Sequence, residues 1–253
     1  MTAAGPMSSA AARRLHTTEA AALAGLGLLV VHAGPALTAV RGLRRTFLPR
    51  LSGVGRATHV ALTFDDGPDP TSTPRFLDTL DRHGVRATFF VLGSMLAKAP
   101  ELGRELVAAG HEIAVHGWSH RCLLARSGRA VRTELARAIG QIEDATGCRP
   151  NYFRPPYGLL TTPALVAARR LGLAPVLWTC SGRDWHSWST SDSVVRTLRS
   201  SLDPGATVLL HDSDCASAPD AWRSTLAALP RFLDDCAVRG FAVGPLAEHQ
   251  QRH

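Results

Sequence analysis

Two adjacent carboxylates, Asp65 and Asp66, close the apolar run His59-Val60-Ala61-Leu62-Thr63-Phe64 and are followed at once by Gly67-Pro68. The run reads as a buried β-strand and the Gly-Pro pair as the turn that ends it. An isolated Asp-Asp-Gly serves well enough as a solvated turn capping the next helix, but here the remaining chain offers partners for both carboxylates. His116 and His120 stand four apart in His116-Gly117-Trp118-Ser119-His120. If a strand end curls there into a helical turn, both imidazoles face one way and can grip a single metal ion, with a strand-1 carboxylate as third ligand. Zinc is the default for such a set, and cobalt, nickel or manganese suit the same mixed nitrogen and oxygen donors. Arg154-Pro155-Pro156-Tyr157 and Leu209-Leu210-His211 add a guanidinium and a third imidazole. Each piece alone has a plain structural reading, a proline-fixed turn or a histidine after a strand; their combination points to metal-assisted chemistry.

Positioning these groups requires a particular alternation of elements. Strands are expected at 59–66, 87–92, 112–116, 152–154, 175–180, 207–211 and 241–243. Helices are expected at 74–83, 100–109, 128–146, 163–171 and 191–202, most of them closed by a glycine, and as a pair around Pro230 within 221–239. Connections too long for hairpins imply parallel strands, hence an α/β fold of the distorted (β/α)7 barrel kind. Asp65, Asp66, His116, Arg154, Asp184 and His211 all fall at or just beyond the carboxyl ends of these strands, the rim where parallel barrels build their sites.

The chain of 253 residues suffices for one large α/β domain with an appendage, and its 45% hydrophobic content for a core. Its net charge of +7 comes almost wholly from arginine, Lys98 being the single lysine. The basic residues make no stripe interleaved with aromatics, which speaks against nucleic acid and leaves anionic lipid or envelope polymers as partners. The five cysteines, Cys122, Cys148, Cys180, Cys215 and Cys236, lack close Cys-x-x-Cys spacing and read as single small hydrophobes, with a Cys215–Cys236 disulfide left open.

Residues 1–19 are small, polar and basic, without periodicity, and read as disordered. Residues 20–40 form an apolar stretch whose one ionisable member is His32; as a helix it would be about 31 Å long, near the thickness of a bilayer core. Gly34-Pro35 and the abundance of alanine fit a helix packed on the domain instead. The expectation is a membrane-associated or cell-envelope protein, the alternative a cytoplasmic one. The four arginines Arg41, Arg44, Arg45 and Arg50 outnumber Arg13 and Arg14 on the other flank, which leaves orientation open. Residues 41–57 read as an Arg-rich linker and 247–253 as a polar tail.

Over residues 58–246 the sequence resembles the polysaccharide deacetylases of the NodB-like group, carbohydrate esterase family four. Thr63-Phe64-Asp65-Asp66-Gly67-Pro68 matches the family's first motif without change, which by resemblance makes Asp65 the catalytic base and Asp66 a metal ligand. His116 and His120 match the His-[Ser/Thr]-x-x-His motif as the other two ligands, with Gly117 in place of the usual hydroxyl residue. Arg154-Pro155-Pro156-Tyr157 matches the Arg-x-Pro-Tyr motif: Arg154 would keep the base ionised and the Tyr157 N–H would face the developing oxyanion. Leu209-Leu210-His211 matches Leu-x-His, which casts His211 as the acid protonating the leaving amine. Pro155, Pro156, Trp185 and Leu209 are implied at the substrate. The Asp-x-x-Asp-Trp motif aligns with Ser181-Gly182-Arg183-Asp184-Trp185, so Ser181 stands where the resemblance expects the carboxylate partner of His211. A lower His211 pKa follows unless another acid substitutes, with Asp184, Asp212 and Asp214 available. Trp185, and with it Trp118, reads equally as a wall for a sugar ring or as core packing.

The resemblance implies metal-dependent removal of N-acetyl groups from an amino-sugar glycan, whether a chitooligosaccharide, peptidoglycan or a lipid-linked glycan. The alternatives are an inactive, metal-retaining glycan-binding homologue, suggested by Gly117 and Ser181, and an amidohydrolase for a non-sugar amide. A two-His-one-carboxylate iron oxygenase would have no need of the base, arginine and acid set.

Overall fold

Residues alternate between the two faces of a strand, and in this chain that alternation separates core from chemistry. The computed structural model describes residues 25–27 and 29–249. Among them the strands are β1 (His59–Asp65), β2 (Thr88–Leu92), β3 (Glu112–Gly117), β4 (Tyr152–Phe153), β5 (Ala174–Pro175), β6 (Cys180–Ser181), β7 (Thr207–His211) and β8 (Ala242–Gly244). They form a curled sheet in the order β5-β4-β3-β2-β1-β7-β6, with β8 also on β1, and the pairings are parallel.

Val60, Leu62 and Phe64 of β1, Ile113 and Val115 of β3, and Val208 and Leu210 of β7 join the main core with Phe76, Leu80, Ile139 and Phe232 from the surrounding helices. Ala61, Phe90 and Ala114, from the alternate positions, form a smaller cluster inside the curl with Tyr152, Val176 and Leu246. Thr63, Asp65, His116, Leu209 and His211 share the parity of this inner face. The register sets Asp65 beside His211 and Thr63 beside Leu209, so the polar strand ends converge.

The expected strand at 175–180 divides into two. Ala174–Pro175 pairs with β4 at one edge of the sheet and Cys180–Ser181 with β7 at the other, so the intervening residues cross the seam of an unclosed barrel. Their backbone groups find partners there: Val176 N–H donates to Phe153 O at 2.9 Å, Leu177 N–H to Leu51 O at 2.8 Å and Thr179 N–H to Thr207 O at 3.0 Å. An apolar run buried on all sides looks the same in sequence whether it pairs along one edge or bridges two.

Residues 41–57, read as a linker, contain the helices Arg41–Phe47 and Pro49–Ser52. They pack on that seam through Leu51 and through Arg44, which is buried and donates to Thr38 O, Ser52 Oγ and Trp178 O. At the other end, Leu246–His249 is helical, and the buried His249 ring sits 3.0 Å from His59 Nδ1. The helix pair expected around Pro230 is one helix, Ala221–Val238. Proline removes one backbone donor, and the burial of Ala228, Leu229, Phe232 and Leu233 on one face outweighs that loss. All five cysteines are free, so the open Cys215–Cys236 pairing is not made.

The disordered reading of 1–19 and part of the apolar stretch, residues 20–24 and 28, lie outside the described residues. The remainder of that stretch includes a 3-10 turn at Gly34–Ala39, and among the described residues no helix is long and apolar enough to cross a membrane.

Candidate active site

Asp65 closes β1 with its side chain buried at the inner rim. Arg154, fully buried just past β4, donates from Nη1 to Asp65 Oδ1 at 2.6 Å and to Thr63 Oγ1 at 2.8 Å. Its other donors go to Val176 O at 3.3 Å and Leu177 O at 3.0 Å, across the barrel seam. One guanidinium thus orients the carboxylate and satisfies the carbonyls of the crossing strand, which its five fixed donors allow. Burial pushes the Asp65 carboxyl up and Arg154 pulls against it, the net direction being upward. With Oδ1 pinned, Oδ2 faces His116 Nε2 at 3.8 Å.

Asp66 follows in a left-handed conformation, φ 79, which turns its side chain out of the strand alternation. Asp66, His116 and His120 each offer a ligand atom within 4.8 Å of the others. His116 Nδ1 lies 2.9 Å from Arg154 O; a carbonyl only accepts, so Nδ1 carries the proton. Burial, reinforced by Arg154, pushes the His116 imidazole down to about 3, and burial with His116 takes His120 to about 4. Both rings are therefore neutral at pH 7. The bare Nε2 of His116 faces Asp66 Oδ1 at 3.4 Å, and His120 Nε2 lies 3.5 Å from the same oxygen, which is buried without a hydrogen-bond partner. Lone pairs converging on one buried point leave a place for a cation, and this donor set fits a divalent one. Burial raises Asp66 to about 7, His211 opposing and Asp65 adding to the rise.

Gly117, between the two histidines, has φ +115, a conformation that L side chains rarely adopt. A Cβ there would meet nothing closer than Ser119 O at 3.6 Å, so the constraint is torsional and not spatial. The bracing that a hydroxyl at 117 would give comes from Glu134 on the long helix Gly128–Thr146: its Oε1 accepts from Ser119 N–H at 3.3 Å and from Ser119 Oγ at 3.2 Å. That helix begins at Ser127, whose side chain caps Ala130 N–H, and stops at left-handed Gly147. Gly117→Ser, although it restores the family's usual residue, is expected to destabilise the fold by about 1–3 kcal/mol, which thermal unfolding of the variant measures.

His211 ends β7 opposite Asp65. Its Nδ1 lies 2.9 Å from Asp184 Oδ1, and its backbone N–H donates to Asp184 Oδ2 at 2.8 Å. Thr225 Oγ1 from helix Ala221–Val238 also donates to Oδ2, at 2.8 Å. The loss expected from Ser181 is therefore made good three residues on, because the chain after β6 runs on alongside β7, Gly182 N–H donating to Leu209 O at 3.2 Å. Ser181 Oγ accepts from Arg183 N–H instead. Burial alone would depress the His211 imidazole, but the Asp184 carboxylate, with Asp66 and Asp65 adding to it, outweighs burial and pushes the ring up to about 10. Of the other two acids considered, Asp212 accepts from Thr73 Oγ1 at 2.5 Å and Asp214 from Asp220 N–H at 2.8 Å; the ring hydrogen bond is made by Asp184.

Pro155 and Pro156 are buried and lead into Tyr157, a half-exposed residue at φ 60, ψ 7 whose ring meets His120 edge-on at 4.5 Å. Trp185 meets His211 edge-on at 5.6 Å, and Leu209 is buried in β7. Trp118 turns away from this cluster, with the Arg137 guanidinium 3.5 Å above its ring. Sequence reasoning missed Glu134 and Thr225, because both come from helix faces whose register against the sheet has no local signature.

The chain belongs to the polysaccharide deacetylase family, whose family model, described as polysaccharide deacetylase, matches residues 53–176. A chitooligosaccharide deacetylase of Bradyrhizobium sp. (strain ANU 289) is 39% identical over 196 residues, spanning 75% of this chain and 89% of that one. Among solved structures, the Bc1960 peptidoglycan N-acetylglucosamine deacetylase superposes with a TM-score of 0.73 at 28% identity, over 79% of this chain and 92% of the other. BA3943 of Bacillus anthracis, a CE4 family pseudoenzyme, does so with a TM-score of 0.69 at 26% identity, over 76% of this chain and 65% of the other.

Proposed function

We propose that this chain hydrolyses the N-acetyl group of an amino sugar within a glycan, releasing acetate and leaving a free amine. What supports this most is the opposition across one rim of a carboxylate pinned by Arg154 and an imidazole pinned by Asp184, with the Asp66, His116 and His120 donors at the same rim. A divalent ion, zinc by default and otherwise cobalt, nickel or manganese, would be held by those three residues and, when bound, would polarise the amide carbonyl and acidify a water.

The residues of the chain do the rest. Asp65 Oδ2 takes the proton of the attacking water while Oδ1 stays on Arg154. The Tyr157 N–H donates to the oxygen that becomes negative. His211, kept protonated by Asp184, gives its proton to the leaving nitrogen. Leu209, Pro155, Pro156 and Trp185 shape the walls around the acetamide. The acceptor is a chitooligosaccharide, peptidoglycan or lipid-linked glycan at the cell envelope, with residues 20–40 as the membrane-associating segment.

Acetate release by the full chain from N-acetylglucosamine oligomers, measured between pH 5 and 9, tests this reading. Release is expected to vanish after chelation and to return with added zinc or cobalt. Absence of release with every metal would overturn it in favour of a non-sugar amide or a glycan-binding role. The binding role rested on Gly117 and Ser181, and the torsion at Gly117 and the Asp184 contact to His211 remove most of its motivation.

A further inference from the structure

Beside the catalytic rim lies a cavity of about 650 Å³ walled by the ligand loop on one side and the start of helix Gly128–Thr146 on the other. Trp118 and Ser119, which separate the two metal-ligand histidines, form its near wall, so whatever occupies it touches the same loop that carries His120. Four arginines line it, Arg121, Arg126, Arg129 and Arg137, against a single acid, Glu134. That acid is already committed: Oε2 accepts from Arg126 Nη2 at 2.7 Å while Oε1 holds Ser119. Arg126 Nε remains buried with no hydrogen-bond partner. Arg121, Arg129 and Arg137 pair with no carboxylate among the described residues.

Arg129 and Arg137 are about two helical turns apart on the helix face turned to the cavity, and Arg137 is held by its stacking on Trp118. The cavity also opens at the amino end of that helix, whose dipole favours negative charge. Arginine in bulk solvent prefers dispersal, and a concave site with three uncompensated guanidiniums and one unsatisfied Nε is complementary to an oxyanion.

Resting on the proposed deacetylation, we propose that this cavity is an anion subsite that receives a carboxylate or phosphate group carried by the glycan on a unit next to the N-acetylated sugar. The preferred substrate is then an acidic glycan and not a neutral one. A carboxylate would come from a lactyl-bearing sugar, a phosphate from a sugar phosphate at a chain end.

Isothermal titration of the full chain distinguishes these sources using three probes of matched length. They are a neutral N-acetylglucosamine tetramer, a tetrasaccharide alternating N-acetylglucosamine with lactyl-bearing N-acetylmuramic acid, and an N-acetylglucosamine oligomer bearing a terminal phosphate. At least one acidic probe is expected to bind about tenfold or more tightly than the neutral one, the worth of one or two charge-assisted hydrogen bonds. The preference is expected to shrink between about 50 and 300 mM salt. In Arg121→Ala/Arg129→Ala, both exposed positions, the ratio of acidic to neutral affinity is expected to fall to about 1. Equal affinity of the wild type for all three probes, or a preference that survives in the double variant, would overturn the subsite. The titration reads binding alone, so a failure of the deacetylase reading would show separately, as neutral oligomer bound without acetate release.

Discussion

Asp65→Asn is expected to lower kcat by about 10²–10⁴-fold, the usual worth of a positioned general base, while divalent-metal affinity measured by titration stays within a few-fold of wild type. The reason lies in how the two adjacent carboxylates are divided. Asp65 Oδ1 is taken by Arg154, whereas the unsatisfied oxygen facing both imidazoles belongs to Asp66. An amide at 65 can still accept from Arg154, but it cannot take a proton from water. The substitution leaves Arg154 as a buried charge with its partner neutralised, which costs stability. Thr63 Oγ1 and the carbonyls of Val176 and Leu177 still satisfy three of its donors, so the variant folds and circular dichroism confirms it before kinetics. Turnover retained in a folded Asp65→Asn would remove Asp65 from the role of base.

Asp184→Asn is expected to move the alkaline limb of the kcat profile to lower pH and to reduce kcat at pH 8 by about 10²-fold or more, as for loss of a general acid. The sign follows from the protonation states. His211 must be protonated to donate to the amine, and in the wild type burial is outweighed by Asp184 together with Asp66 and Asp65, which hold the ring up at about 10. Activity is therefore sustained through neutral pH and declines as pH rises toward that value. With the Asp184 carboxylate gone, burial is opposed only by the more distant Asp66 and Asp65, and the imidazole loses its proton at lower pH than in the wild type. A profile unchanged in Asp184→Asn would show that His211 is not the acid. Ser181→Asp separates the two positions: if Asp184 is the partner of His211, the substitution leaves the alkaline limb where it is.

The linear order of residues determined the strand ends and the donor types. A period of two in β1, β2, β3 and β7 dictates that Asp65, His116 and His211 leave the sheet on the face opposite Val60, Phe89, Val115 and Leu210. Parallel connections then bring those ends to one rim, so the carboxylates, imidazoles and guanidinium that meet there were legible from spacing and motif. What lies across the fold was not. The pairing of His211 with Asp184 depends on a turn after β6 that no periodicity encodes. The division of 175–180 between two sheet edges depends on the barrel failing to close, and the role of Arg154 in bridging that gap depends on where the crossing carbonyls fall. Gly117 shows the difference most clearly: as a letter it is a missing hydroxyl, and as a backbone at φ +115 with Glu134 bracing the loop it is the residue the turn requires. Local sequence specifies side-chain chemistry and the alternation of faces because these act over neighbouring residues. Which buried donor meets which acceptor is decided by packing between segments about 30 to 90 residues apart, where only the assembled fold sets the distance.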